Sequence, residues 1–311
     1  MESLGVIQKA LPEGNQLLSN IFLRPKRDGK QRPIINLKEL NGHIPYQHFQ
    51  MEGLRDLKHL LRPGDLMIKL DLKNAYWSVP INKNHRKFMR FQWKGQLWEF
   101  LVLAFGLGPA PRTFTKLLKI PVGTLRRLMI RVIIYLDDML LIASNMEEIL
   151  RSRDSAIFLF ENLGFTINYG KSVLTPCHRC EFLGMMIDSK EMTINLPEGK
   201  INEISLLCQT YWETPVTKLT ELASLIGKLY ATLPAISQAP IQLRYLQQDL
   251  INAQREGLSF RAKITLSPQG RSELKWWIHN LHLVRGTPIR LKPPDMTILT
   301  DASSTIGWGL K

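Results

Sequence analysis

The sequence predicts an α+β chain, and three features lead there. Short apolar stretches come in pairs around polar tips, in "FLRPKRDGKQRPIINLKELN" (Phe22 to Asn41), "VIIYLDDMLLIAS" (Val132 to Ser144) and "EFLGMMIDSKEMTINLP" (Glu181 to Pro197). Each pair reads as a hairpin of antiparallel strands. Amphipathic helical patterns then gather in the later half, over Gly199 to Trp212, Thr217 to Leu233 and Ser272 to Leu283. Finally, 311 residues with 44% hydrophobic and 22% charged side chains suffice for sizeable cores and exclude a disordered chain.

In chain order, the first hairpin has a basic tip with Asp28-Gly29 at its centre, a strong turn signal. "LMIKLDLKNAYWSVPI" (Leu66 to Ile81) is an apolar strand that reaches Asp71 and then loses its pattern, which places Asp71 near the strand end. "FGLGPAPRTFTKLL" starts Gly/Pro-rich at Phe105 and continues as a helix through Phe114, Leu117 and Leu118. In "VIIYLDDMLLIAS" two strands flank a turn at Asp137 and Asp138. Asn145 caps the next helix, whose apolar face is Ile149, Ile157, Phe160 and Leu163, and Gly164 stops it. The hairpin from Glu181 turns at Ser189-Lys190, and the second of the later helices carries Leu219, Leu222, Leu225, Ile226 and Leu229 on one stripe. After the Pro293-Pro294 break, "DMTILTDASSTIGWGL" begins another strand. There is no internal repeat and no low-complexity segment.

Lys and Arg number 41 against 27 Asp and Glu, a net charge of +14, which favours a polyanionic partner such as nucleic acid or an acidic membrane surface. Three cysteines form no disulfide framework and point to a reducing compartment. The start "MESLGVIQKALPEG" lacks the apolar core of a signal peptide, and no uncharged run reaches the ~18 residues of a membrane span. The expectation is an intracellular, soluble protein without a membrane partner.

Asp137 and Asp138 lie in an otherwise apolar run. An ionised carboxylate removed from water needs a partner or a cation. Taken alone, the pair also fits a solvated hairpin turn. If the strands ending at Asp71 and at Asp137-Asp138 share a sheet, three carboxylates converge. Mg²⁺ prefers such oxygen ligands, often one or two carboxylates with substrate phosphates. Two ions ~3.5–4 Å apart can activate an attacking hydroxyl and stabilise a leaving oxygen.

These motifs, in their order from about Phe22 to Gly309, resemble the reverse transcriptases of retrotransposons, of gypsy-like and especially DIRS-like type. The resemblance implies a right-hand polymerase of fingers, palm and thumb with an antiparallel palm sheet, acting as an RNA-directed DNA polymerase. "LDLKNAY" is similar to the first palm motif, which implies Asp71 as a metal ligand, the Leu72 backbone carbonyl as a second contact, and Tyr76 as the aromatic that excludes a ribose 2′-OH. "YLDD" resembles the catalytic hairpin, which implies Asp137 and Asp138 as catalytic metal ligands, with Tyr135 and Leu136 flanking the primer end. "LAFGLGPAPRTF" resembles the motif beside the nucleotide and carries Phe105 and Gly106, with Ala104 where proline is usual.

By the same resemblance Lys26 and Arg32 grip the triphosphate, and Lys171 in "LGFTINYGKSVL" stands near the departing pyrophosphate as a proton donor. In "CEFLGMMI", Phe182, Leu183 and Gly184 form the primer grip. "ILTDASSTIGWGL" resembles the first strand of a ribonuclease H domain, with Asp301 as its first metal-binding carboxylate; as written, the chain should lack a working ribonuclease H site. The implied division is 1–20 as an N-terminal extension, 21–195 as fingers and palm, 196–292 as thumb and connection, and 293–311 as a truncated ribonuclease H start. The implied cofactor is two Mg²⁺ ions, with Mn²⁺ as a substitute. Implied partners are an RNA or DNA template with its primer and deoxynucleoside triphosphates, in cytoplasm or nucleus.

Two rival readings are a catalytically inactive nucleic-acid-binding remnant and an RNA-dependent RNA polymerase, the latter opposed by the bulk of Tyr76. "CHRC" (Cys177 to Cys180) suggests zinc but lacks a second ligand pair at useful spacing, so thiols in a strand are the better reading. Trp276 and Trp277 face different directions on a helix, which assigns at least one to the core.

Overall fold

The computed structural model describes residues 1–25, 29, 31–214, 216–284 and 286–290, with the backbone alone of 300–303 and 307–310. The first part of the chain forms β1 (Ile7–Lys9), the hairpin β2 (Ile21–Pro25) and β3 (Gln31–Ile35), and the short helices α1 (Lys38–His43) and α2 (Leu57–Leu60). Next come β4 (Leu66–Lys73), β5 (Arg90–Trp93) and β6 (Gln96–Phe100). β1, β6 and β5 form one sheet in that order, so the first residues belong to the body of the molecule; Val6 is fully buried beside Ile35, Phe91 and Phe100.

The central sheet takes β4 between later strands. After α3 (Ala110–Arg127), β7 (Arg131–Tyr135) and β8 (Asp138–Ala143) form the expected hairpin, then α4 (Met146–Asn162), β9 (Thr166–Ile167) and β10 (Val173–Cys177). The sheet order is β10-β4-β8-β7, antiparallel throughout, with β9 pairing the end of β4. β4 and β8 are buried on both faces, hence their near-continuous apolar runs. Ile68, Leu70, Met139 and Leu141 meet Phe114, Leu118, Ile149 and Phe160 of α3 and α4 on one side. Met67, Leu140 and Ile142 face a second core on the other. By strand alternation Lys69, Asp71 and Asp138 share that second face.

The second core is closed by the meander β11 (Arg179–Phe182), β12 (Met185–Asp188) and β13 (Thr193–Asn195), and by α5 (Glu198–Glu213), α6 (Leu219–Tyr230), α7 (Arg244–Arg255) and α8 (Pro268–Asn280). β14 (Val216–Lys218) pairs β15 (Lys263–Thr265), β16 (Thr287–Pro288) extends the meander, and β17 (Thr300–Ser303) pairs β18 (Gly307–Leu310). The predicted stripe of α6 is buried at all five positions. Asn145 caps α4 by accepting from Glu148 N–H, and Gly164 follows its end with φ 84°.

Three local readings change, while the tryptophan expectation holds. Leu117 is 42% exposed because it lies on the outer side of α3, and Leu163 is 53% exposed because it stands just past the end of α4. The meander turns twice, at Leu183-Gly184 as well as over Ser189 to Met192. α7 is an addition to the predicted helices: Leu246, Leu250 and Ala253, continuing from Leu243, form a short apolar stripe within an otherwise polar segment. Of the tryptophans, Trp277 is fully buried and Trp276 packs edge-on against it at 5.3 Å. Among the described residues no helix is long and apolar enough to cross a membrane.

Candidate active site

Register brings the acidic residues together. Asp71 of β4 stands directly opposite Asp138, the first residue of β8, and Tyr135 pairs with Asp138 across the hairpin. The turn itself is Leu136-Asp137, one residue earlier than expected. Leu136 has φ 53°, a left-handed conformation that costs a non-glycine residue ~1–2 kcal/mol. One bond that helps hold it runs from Leu72 N–H to the Asp137 carbonyl, 2.8 Å, which ties the turn to β4.

Asp71 is held from below by the loop after β9. Its N–H donates to Ser172 Oγ at 3.0 Å, its carbonyl accepts from Asn168 N–H at 2.8 Å, and its Oδ1 accepts from Asn168 Nδ2 at 2.7 Å. The Asp71 carboxyl titrates above the usual carboxylate range. Burial is the main cause, opposed by the Asn168 bond; the Asp138 charge adds to the rise, and Lys171 and Lys69 oppose it. Asp137 is exposed at the turn yet crowded by the surrounding protein. That crowding chiefly raises its carboxyl too, against its own backbone N–H; Asp138 and Asp71 push it further up and Arg32 pulls it down.

The third carboxylate lies beside a lysine. Asp138 Oδ1 lies 3.0 Å from Lys69 Nζ, is shut off from solvent, and makes no aligned hydrogen bond, so its contact is charge to charge. Among the described residues no group of three or more His, Cys, Asp or Glu side chains is arranged to hold a metal. Asp71, Asp137 and Asp138 are thus brought together at one end of the sheet, the last of them in contact with Lys69. The donor set still fits a hard divalent cation, because two mutually repelling carboxylates are what Mg²⁺ commonly takes from a protein alongside phosphate oxygens.

Aromatic residues wall the acidic pair. Beyond β4 the chain turns at Asn74, with φ 54°, and presents Tyr76, whose ring lies 5.3 Å from Phe105 and 5.6 Å edge-on from Phe114. Burial, then the Asp137 charge and Tyr135, push its hydroxyl up to about 12, so it stays protonated at neutral pH. The Arg32 guanidinium lies over the Phe105 ring at 4.8 Å. Gly106 has φ 113°, and an added Cβ would meet the Ile35 carbonyl oxygen of β3. Asn41 straps this loop, donating to the Gly106 carbonyl at 2.9 Å and accepting from Gly108 N–H at 2.7 Å.

Of the other predicted residues, Lys171 is exposed within electrostatic reach of Asp71. Leu72 is buried and paired with Ile167. Leu183 and Gly184 form the two-residue turn of the β11–β12 hairpin, with φ 50° and 71°. The Phe182 side chain is fully buried in the core, so at that position only backbone is left to face a strand. Lys26 lies outside the described residues. Asp301 falls on β17, with its side chain outside them.

Sequence reasoning missed Lys69, Asn168, Ser172 and Asn41. Period-two alternation could have placed Lys69 on the face of Asp71, but nothing local marks the other three. The "CHRC" side chains serve the sheet: Cys177 Sγ donates to the Met67 carbonyl at 3.6 Å, and His178 Nδ1 lies 3.1 Å from the Asp65 carbonyl. A hydrogen bond from Cys180, opposed by burial, draws the Cys177 thiol down to about 7 and pushes the Cys180 thiol up.

The family model for reverse transcriptase (RNA-dependent DNA polymerase) matches residues 24–187, more than half of the chain. The chain belongs to the reverse transcriptase family. The matched segment holds the whole acidic site, from Arg32 through Asp71 and Asp137 to Gly184. Among similar proteins are the genome polyprotein of Petunia vein clearing virus (isolate Shepherd), 25% identical over 73% of this chain and 10% of that protein. The Pro-Pol polyprotein of Simian foamy virus type 3 (strain LK3) is 26% identical over 71% and 18%. The transposon Tf2-3 polyprotein of Schizosaccharomyces pombe is 24% identical over 56% and 13%. The chain thus spans less than a fifth of these relatives.

Among solved structures, a foamy viral protease-reverse transcriptase in complex with double-stranded DNA superposes with TM-score 0.74 at 16% identity, over 99% of this chain and 53% of that one. A foamy viral protease-reverse transcriptase with RNA/DNA hybrid gives 0.71 at 19% identity, over 91% and 35%. This reverse transcriptase chain therefore has the right-hand polymerase fold, with the antiparallel sheet β10-β4-β8-β7 as its palm.

Proposed function

We propose that the chain is an RNA-directed DNA polymerase of a retrotransposon, gypsy-like or DIRS-like, which joins a deoxynucleoside triphosphate to a primer 3′-OH. The observation that carries this reading is the meeting of Asp71 and Asp137 at one end of the palm sheet. Both carboxyls are raised by burial and like charge, so a bound divalent cation relieves them. Two Mg²⁺ ions bound there would acidify the attacking hydroxyl and take up charge on the leaving pyrophosphate.

The remaining roles belong to the protein. Asn168 and Ser172 fix Asp71, and the Leu72 amide fixes the turn bearing Asp137. Tyr76, wedged between Phe105 and Phe114, fills the space a ribose 2′-OH would need. Arg32, with Lys26, neutralises the triphosphate, and Lys171 gives a proton to the departing pyrophosphate. The Phe182 to Gly184 turn positions the primer through its backbone. Such catalysis is chiefly positioning and charge stabilisation.

The division at residues 21–195, 196–292 and 293–311 into fingers with palm, thumb with connection, and the start of a ribonuclease H-like domain bearing Asp301 belongs to the same reading. So do an RNA or DNA template with its primer as partner and a cytoplasmic or nuclear setting.

The test is primer extension by the purified chain on an RNA template with Mg²⁺ and deoxynucleotides, beside Asp137→Asn/Asp138→Asn. Extension by the parent alone is expected. If neither extends and both bind primer–template with one salt dependence, the chain is a binding remnant.

A further inference from the structure

We propose that Lys69 is a positioning residue that holds Asp138 out of the cation site, leaving Asp71 and Asp137 as the carboxylates that take the metal. This rests on the polymerase reading of the site and refines its ligand set.

Strand geometry sets up the contact. Lys69 pairs with Leu140 and Asp71 with Asp138, so Lys69 is the diagonal neighbour of Asp138 on one face of the sheet. Directly opposite residues would need short side chains, but a diagonal neighbour ~7–8 Å away suits the four-carbon lysine stem. The ammonium reaches Asp138 Oδ1 at 3.0 Å, with the two side chains only 19% and 25% exposed. Neither charge could stand there alone cheaply, since removing one partner of a shielded pair strands the other.

The three carboxylates are thus treated differently. Asp138 is neutralised by Lys69. Asp71 has Oδ1 engaged by Asn168, which orients the carboxylate without neutralising it. Asp137 faces solvent at the turn. A cation arriving from solvent meets Asp137 and the free oxygen of Asp71, and would have to break an ion pair to recruit Asp138. Lys69 also limits the negative charge at this end of the palm sheet, which the triphosphate must approach.

The test is equilibrium binding of Mn²⁺ to the full chain, read from the free-ion electron paramagnetic resonance signal without substrate. It compares the parent with Asp71→Asn, Lys69→Met and Lys69→Met/Asp138→Asn, each checked for folding by circular dichroism. Lys69→Met frees a third carboxylate and is expected to tighten Mn²⁺ binding roughly tenfold, the scale on which one nearby charge shifts an ionisable group. The double variant removes the ion pair as a neutral unit and is expected to bind Mn²⁺ like the parent. Should Lys69→Met fail to fold, the double variant still decides.

If the double variant loses Mn²⁺ as Asp71→Asn does, Asp138 is a ligand and the proposal is overturned. Unchanged binding in a folded Lys69→Met overturns it as well. Both outcomes leave the polymerase reading intact, because Asp71→Asn still reports a metal site. Absence of Mn²⁺ binding and of extension in the parent overturns both.

Discussion

At the scale of single residues, the site is built from a few side chains fixed by unusual local geometry, and two of them give sharp expectations. In the proposed role of Tyr76 beside the incoming sugar, Phe105 and Phe114 pack against its ring and keep it in place. Discrimination against ribonucleotides should therefore reside in its bulk. Tyr76→Ala is expected to lower the preference for deoxynucleotides by roughly 10–200-fold, the range for steric selection in a rigid pocket, while Tyr76→Phe keeps it. Competition between dGTP and GTP in single-nucleotide extension reads the ratio; an unchanged ratio in the alanine variant would remove Tyr76 from that role. Gly106 is constrained twice, by φ 113° and by the Ile35 carbonyl where a Cβ would stand. Gly106→Ala should cost about 1–3 kcal/mol from the backbone conformation alone, and more as β3 is displaced. Asn41→Ala, which loses two exposed bonds to the same loop, should cost less than Gly106→Ala. Urea unfolding of the two variants gives the order.

At the scale of elements, the end of the palm sheet remote from the carboxylates is clamped by a buried ion pair. Asp65 just before β4 receives Arg131 of β7 on both oxygens, at 2.6 and 2.8 Å, across the end of β8 between them. The Asp65 carboxylate also accepts from Arg62 N–H, and its carbonyl accepts from Ser189 Oγ of the meander. The side chain is 2% exposed, so Asp65→Ala would leave a shielded guanidinium unpaired. A loss of about 3–5 kcal/mol is expected, seen as a lower urea midpoint; a loss below about 1 kcal/mol would show the clamp to be solvated. This clamp also shows where sequence legibility ends. The hairpin of β7 and β8, the strand ending near Asp71, the Asn145 cap and the α6 stripe were legible, because each is a local pattern of apolar period and turn chemistry. Arg131 with Asp65, Asn168 with Asp71 and Asn41 with Gly106 were not, because each joins residues more than sixty positions apart in the chain. α7 escaped for another reason: its stripe of Leu243, Leu246, Leu250 and Ala253 is narrow and set among Arg, Gln, Asp and Asn, so the segment reads as polar.

At the scale of the whole molecule, two opposite electrostatic demands meet. One end of the palm sheet concentrates carboxylates, whereas the chain carries a net charge of +14. On the proposed reading the excess of cations attracts a phosphate backbone and the acidic pair performs the chemistry, so binding and catalysis should separate under mutation. Affinity for primer–template should fall linearly in logarithmic plots against salt. If the cleft neutralises 6–10 phosphates, the loss between 50 and 200 mM salt is about 10³–10⁵-fold. Asp137→Asn/Asp138→Asn removes no cation and should keep that slope, with affinity equal to or above the parent's, while losing extension. Fluorescence anisotropy over a salt series measures the slope. A slope near zero would mean that the basic excess does not face the nucleic acid. A slope that flattens in the double variant would mean that the acidic turn, rather than the basic surface, organises the bound duplex.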